Sequence, residues 1–194
     1  NPAEIVSPGN NSTSVDIMGG VNLQWANGGG NPTGYKISVG TNNPPSNILD
    51  NVDVATATSY LVNRDLLQYN ALIFWKVTPY NAQGDATECP VWVFNTMADP
   101  TVSSFPWIES FEGVTATSGF DVPLGWVIRN AAEQFVSWDL IANTSSVTDN
   151  AYDGQKAMHN SFGFVSQLND WLFTPPMALE AGFAYKFSFW VKVK

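Results

Sequence analysis

The sequence predicts an all-β protein built from two sandwich-like domains. Three observations carry that expectation. Short apolar runs alternate with polar residues and are separated by clusters of Gly, Pro, Asn and Ser. No segment sustains a 3.6-residue apolar period with caps at both ends. Aromatic residues make up 13% of the chain, eight of them Trp, and such side chains fill the space between packed sheets. A length of 194 residues suits two domains of about 100 residues each.

In the first half, Ala3-Glu4-Ile5-Val6 reads as an edge strand closed by Ser7-Pro8-Gly9-Asn10-Asn11. Val21, Leu23 and Trp25 alternate with Asn22 and Gln24, which buries one face. The Gly-rich run 27–32 is a turn. Tyr35, Ile37 and Val39 alternate again and stop at Gly40, and 41–46 is loop. Thr58 to Leu61 is a short strand, and residues 63–67 have room for one helical turn. Leu72 to Val77 is the strongest strand signal, and Val91 to Phe94 is the last.

The order of these segments resembles a fibronectin type III domain over residues 1–98. The resemblance rests on Trp25, on 35–40, on Phe74-Trp75-Lys76-Val77 followed by Asn81-Ala82-Gln83-Gly84, and on Trp92-Val93-Phe94-Asn95-Thr96. It implies a spacer or interaction module. One departure is Ile73, which stands where the family has a corner tyrosine. The corner hydrogen bond is then lost or passes to Tyr69. No Arg-Gly-Asp triplet is present.

Residues 99–104 read as a linker to a second domain, 105–194. Trp107 to Glu112 alternates and breaks at Gly113. A turn at 122–125 leads into a strand at 126–128, and Ser137 to Ile141 is a further strand. Residues 143–150 form a polar loop, and Asp153-Gly154 turns into a segment at 155–159. Asp170 to Phe173 is a strand with an acid directly before Trp171, stopped by Pro175-Pro176, since proline has no N–H to donate. Residues 185–193 read as the last strand, in which Tyr185, Phe187, Phe189, Val191 and Val193 share one face, while Trp190 falls on the polar one.

This half resembles the jelly-roll modules called choice-of-anchor J or cleaved-adhesin domains, cousins of MAM domains. The matching residues are Glu109 to Gly113, Pro123-Leu124-Gly125-Trp126, Tyr152 to Met158, Asn169 to Pro175 and Tyr185 to Trp190. Such modules occur in large surface and secreted proteins of Bacteroidetes and continue for several more strands. The resemblance therefore implies a C-terminally incomplete jelly roll that belongs to a longer protein.

Composition limits the partners. The net charge is −9, with only eight Lys and Arg, so phosphate backbones and anionic membranes are disfavoured. No run of 18 apolar residues is present, so no membrane span is expected. A lone cysteine, Cys89, forms no intrachain disulfide and reads as a small hydrophobe. With bridges absent, the chain reads as bacterial and exported, or as cytosolic. Sequons at Asn10, Asn11 and Asn143 matter only in a eukaryotic secretory route.

The chemistry offered is sparse. Glu109, Glu112, Asp153 and Asp170 fall at the motif positions of the second half, and the resemblance implies a structural Ca²⁺ there. Ca²⁺ wants six to eight oxygens, which carboxylates from distant strands and backbone carbonyls can supply. Glu112, before Gly113, is the best single ligand; the alternative is that these acids cap turns. His159 is the only histidine, so zinc or iron is not expected. No Gly-x-Ser-x-Gly elbow or marked carboxylate pair points to hydrolysis. Trp190 and Trp138 are the candidates for stacking on a ligand such as a sugar, against the alternative of core packing.

The expectation is a non-catalytic adhesion, binding or spacer module of a secreted or cell-surface bacterial protein. Its partners would be other domains of a longer chain, neighbouring subunits or surface glycans. Two alternatives are an accessory substrate- or carbohydrate-binding module of an exported protease or glycanase, and a structural repeat of a surface fibre.

Overall fold

The chain is all-β. The computed structural model describes residues 1–115, 121–130, 138–143, 151–160 and 169–192. Their regular elements are thirteen strands and a single 3-10 turn, Arg64–Leu66. They fall into two units, Asn1–Asp99 and Pro100–Lys194.

The first unit packs two sheets around one core. One sheet has the order β1-β3-β6, from β1 (Glu4–Ser7), β3 (Val21–Ala26) and β6 (Ser59–Val62). The other runs β2-β9-β7-β4-β5, from β2 (Ser12–Val15), β9 (Val91–Thr96), β7 (Leu72–Asn81), β4 (Gly34–Gly40) and β5 (Leu49–Asp53), with β8 (Gly84–Asp85) beside β7. The expected alternation is realised: Val21, Leu23 and Trp25 meet Tyr35, Ile37, Val39, Ile73, Trp75 and Val77 in the core. Trp75 and Trp92 stand opposite each other in register with rings 4.6 Å apart. The Trp25 ring meets the Tyr35 ring edge-on at 5.8 Å.

Three strands were not foreseen. β2, β5 and β8 are short, polar and largely exposed, so they carry little alternation for a sequence reading to detect. β7 also runs past the expected end at Val77, through Pro79. Opposite Pro79, Tyr35 turns both its backbone groups away, to Ala55 and Val54. The missing proline N–H therefore faces the β8 side, beyond the end of β9, where it breaks no ladder bond.

The corner before β7 is held in an unexpected way. Ile73 is buried in the core. The buried Thr96 hydroxyl on β9 donates to the Gln68 carbonyl at 2.7 Å and accepts from the Ala71 N–H at 2.9 Å. The Arg64 guanidinium donates to the Leu67 carbonyl and covers the Tyr69 ring, 4.4 Å from its centroid. A threonine and an arginine thus do the work that the sequence reading offered to Tyr69.

In the second unit, β10 (Val127–Asn130) pairs with β13 (Asp170–Phe173), and β11 (Trp138–Ala142) pairs with β12 (Lys156–Asn160). These four match expected segments. Ser137, the polar loop at 144–150, Val193 and Lys194 lie outside the described residues. Two expectations are corrected. Residues 107–112 alternate in exposure, with Ile108 facing solvent, but pair with no strand among the described residues. Residues 185–192 form no strand either, and Phe187, Phe189 and Val191 are exposed. Alternation records which side chains prefer burial, but a strand also needs a neighbour for its N–H and C=O groups.

Candidate functional site

The acids singled out in the second unit have distinct environments. Glu112 lies within the turn closed by the Val114 N–H on the Phe111 carbonyl, and one of its carboxylate oxygens accepts the N–H groups of Gln155 and Lys156, each at 2.7 Å. Lys156 reciprocates: its Nζ donates to the carbonyls of Glu112 (3.0 Å) and Val114 (2.6 Å). The two backbone amides hold the Glu112 carboxyl below its ordinary pKa. Gly154 closes the contact. It has a φ of 74°, and a Cβ there would strike the Glu112 carboxylate. The two motif segments around Glu112 and Gly154 are therefore one reciprocal clamp.

Glu109 accepts the N–H of Phe111, whose φ is 64°, at 2.6 Å. Asp153 is exposed and accepts the Gly154 N–H at 2.9 Å. Both act as turn caps. Glu109 also lines an open cleft of about 420 Å³ together with Asp121 and Leu124. Among the described residues no three acids, histidines or cysteines come together as a metal-binding group.

Asp170 differs from the other three. The period of two along β13 puts Asp170 and Leu172 on the more buried face and Trp171 and Phe173 on the exposed one, where their rings stack. Trp171, which sits beside the acid in the motif, is 55% exposed and so does not anchor a core. Both carboxylate oxygens of Asp170 are buried and find no hydrogen-bond partner among the described residues, as is true of the side-chain oxygen of Asn160 at the end of β12. Trp138 links these two residues. Its backbone is in register with Asn160, and its indole N–H donates to the Asp170 carbonyl at 3.3 Å. Asn160 was missed because a lone polar residue at a strand end carries no periodic signal.

The two tryptophans named for ligand stacking also part company. Trp138 is half-buried and its N–H is committed to the Asp170 carbonyl. Trp190 is 73% exposed and stacks face to face on Tyr152, centroids 3.9 Å apart and planes 9° from parallel. Each ring uses one face on the other.

Two further polar groups sit on the first unit. Lys36 Nζ reaches both carboxylate oxygens of Asp85, at 2.8 and 2.9 Å, and the Tyr80 hydroxyl lies 3.0 Å from both oxygens of Asp53. These bonds raise the pKa of the ammonium and of the phenol respectively. Cys89 is half-buried, its thiol donates to the Ala86 carbonyl, and burial pushes its pKa up. A raised thiol pKa lowers the thiolate fraction and with it nucleophilicity. No protein-family model and no curated protein matches the chain.

Proposed function

We propose that the chain is a non-catalytic adhesion, binding or spacer part of a large secreted or cell-surface bacterial protein. The observation that carries this reading is the employment of the motif acids. Glu109, Glu112 and Asp153 bind backbone N–H groups and hold turns, so these three acids serve the shape of the second unit. The sheet order of the first unit supports the fibronectin type III resemblance and the spacer role that it implies. The jelly-roll reading of the second unit rests on its motif residues. The Ca²⁺ that the resemblance implies would be structural. Of the four acids, Asp170 fits it best, because its oxygens are buried and have no hydrogen-bond partner among the described residues.

A second reading, an accessory carbohydrate-binding module of an exported enzyme, is favoured by the exposed Tyr152–Trp190 stack, since flat aromatic faces stack on sugar rings. A glycan microarray, run beside hydrolysis assays on the same glycans and on protein substrates, tests both. Retention of a glycan without turnover, lost in Trp190→Ala, supports the second reading. Adhesion to cells or matrix that survives Trp190→Ala supports the first. Turnover of any substrate, abolished by Glu109→Gln, would overturn both.

A further inference from the structure

We propose that Asn27 is a self-modification site: in the folded chain its side-chain amide is displaced by the backbone nitrogen of Gly28, leaving aspartate and isoaspartate. This is independent of what the chain binds. Asn27 is exposed and directly follows β3, at the start of the Gly-rich turn 27–32. Its side-chain oxygen accepts the Gly29 N–H at 2.8 Å. That bond folds the carboxamide back across Gly28, whose N–H finds no acceptor among the described residues. It also draws electron density from the side-chain carbonyl carbon, the atom to be attacked. Two other asparagines of the first unit fold in the same way. Asn63 accepts the Asp65 N–H at 3.1 Å, and Asn81 accepts the Gln83 N–H at 2.9 Å. The nitrogens next to them belong to Arg64 and Ala82, where a Cβ crowds the approach. Asn27 is the one asparagine of the chain that precedes a glycine.

The step balances with water alone. A solvent base takes the Gly28 amide proton as the nitrogen attacks the Asn27 side-chain carbonyl carbon. The new N–C bond closes a cyclic imide, the bond to the amide nitrogen breaks, and ammonia leaves with a proton. Water then opens the imide. Cleavage of the new bond gives aspartate. Cleavage of the original peptide bond gives isoaspartate, whose backbone is longer by a carbon. Either product adds a negative charge to a chain whose net charge is −9. The longer backbone also lacks room. A Cβ on Gly28 would strike the Pro2 carbonyl, and the Asn1 side chain donates to the Gly28 carbonyl at 3.2 Å. Isoaspartate therefore pushes Gly28 off the segment that enters β1, where Glu4 pairs with Ala26 and Ile5 with Trp25.

The whole chain is aged in mildly alkaline buffer, folded and, in parallel, unfolded in urea. Fragment mass spectrometry follows the exchange of amide for acid at each asparagine, and an isoaspartyl methyltransferase labels isoaspartate. The expected result is acid and isoaspartate at Asn27, formed in the folded chain at least as fast as in the unfolded one, while Asn63 and Asn81 keep their amides. Asn27→Ser keeps an oxygen able to hold the turn and has no amide to lose, so it should abolish the label. If serine disturbs the fold, Asn27→Gln replaces it, since the longer side chain closes an imide more slowly. Amide hydrogen exchange at Ile5 should quicken in aged wild type and stay constant in aged Asn27→Ser. Slower exchange of amide for acid at Asn27 in the folded chain than in urea would overturn the proposal. So would a label that survives Asn27→Ser, or conversion at Asn63 and Asn81 as fast as at Asn27. Constant protection of Ile5 in fully converted protein would overturn the effect on β1.

Discussion

Glu112 and Thr96 show how one side chain can replace a stretch of regular structure. Glu112 accepts two backbone N–H groups, which favours its ionised form. Its pKa in the folded chain therefore lies below the ordinary value of 4.5. The stability it contributes is present above that value and is lost as pH falls through the lower, folded one. In acid titrations followed by near-UV circular dichroism, Glu112→Gln should flatten the acid limb of the second unit's stability and leave the neutral region with a smaller, pH-independent deficit. Thr96 is 2% exposed, and its hydroxyl serves both Gln68 and Ala71. Thr96→Val keeps the shape but leaves the Ala71 N–H and the Gln68 carbonyl without that partner, at a cost of about 1–3 kcal/mol. Urea denaturation of the first unit measures it. Neither role was legible beforehand. A threonine at a strand end and a glutamate before glycine are common, and only the fold says which backbone groups lie within reach.

At the level of elements, alternation identified the strands that bury a face and missed those that do not. β3, β4, β7 and β9 carry the core and were found; β2, β5 and β8 lie at the margins of the sheet and were not. The opposite error, a strand expected and not formed, befell 107–112 and 185–192. Phe187 and Phe189 are 65% and 72% exposed, with ring centroids 5.8 Å apart. The double change Phe187→Ser, Phe189→Ser should accordingly change the unfolding free energy measured in urea by no more than about 0.5 kcal/mol, as exposed substitutions do. Light scattering should fall at the same time, because an unpaired apolar segment favours association. Leu23→Ala, at a fully buried position of β3, is the control and should cost about 2–5 kcal/mol. A loss of similar size in the phenylalanine pair would mean that the segment is packed.

For the whole molecule, composition and patterning settled the fold class and the strands that face a core. Binary pattern is local: a period of two in apolar residues declares a half-buried strand wherever it occurs in the chain. The same locality explains what stayed hidden. Which strands pair, and whether an alternating segment finds any partner, depends on groups far apart in sequence. The division of labour among Glu109, Glu112, Asp153 and Asp170 is equally long-range. All four were picked from motif positions, and sequence could rank them only by their neighbours, which favoured Glu112. The tertiary structure brings the Gln155 and Lys156 amides to Glu112 and, among the described residues, leaves the buried Asp170 oxygens without a donor. The sequence by itself determined an acidic all-β chain with aromatic-rich faces. Only the tertiary structure decided which of its carboxylates are satisfied, because hydrogen bonding is set by distance in space and not by spacing along the chain.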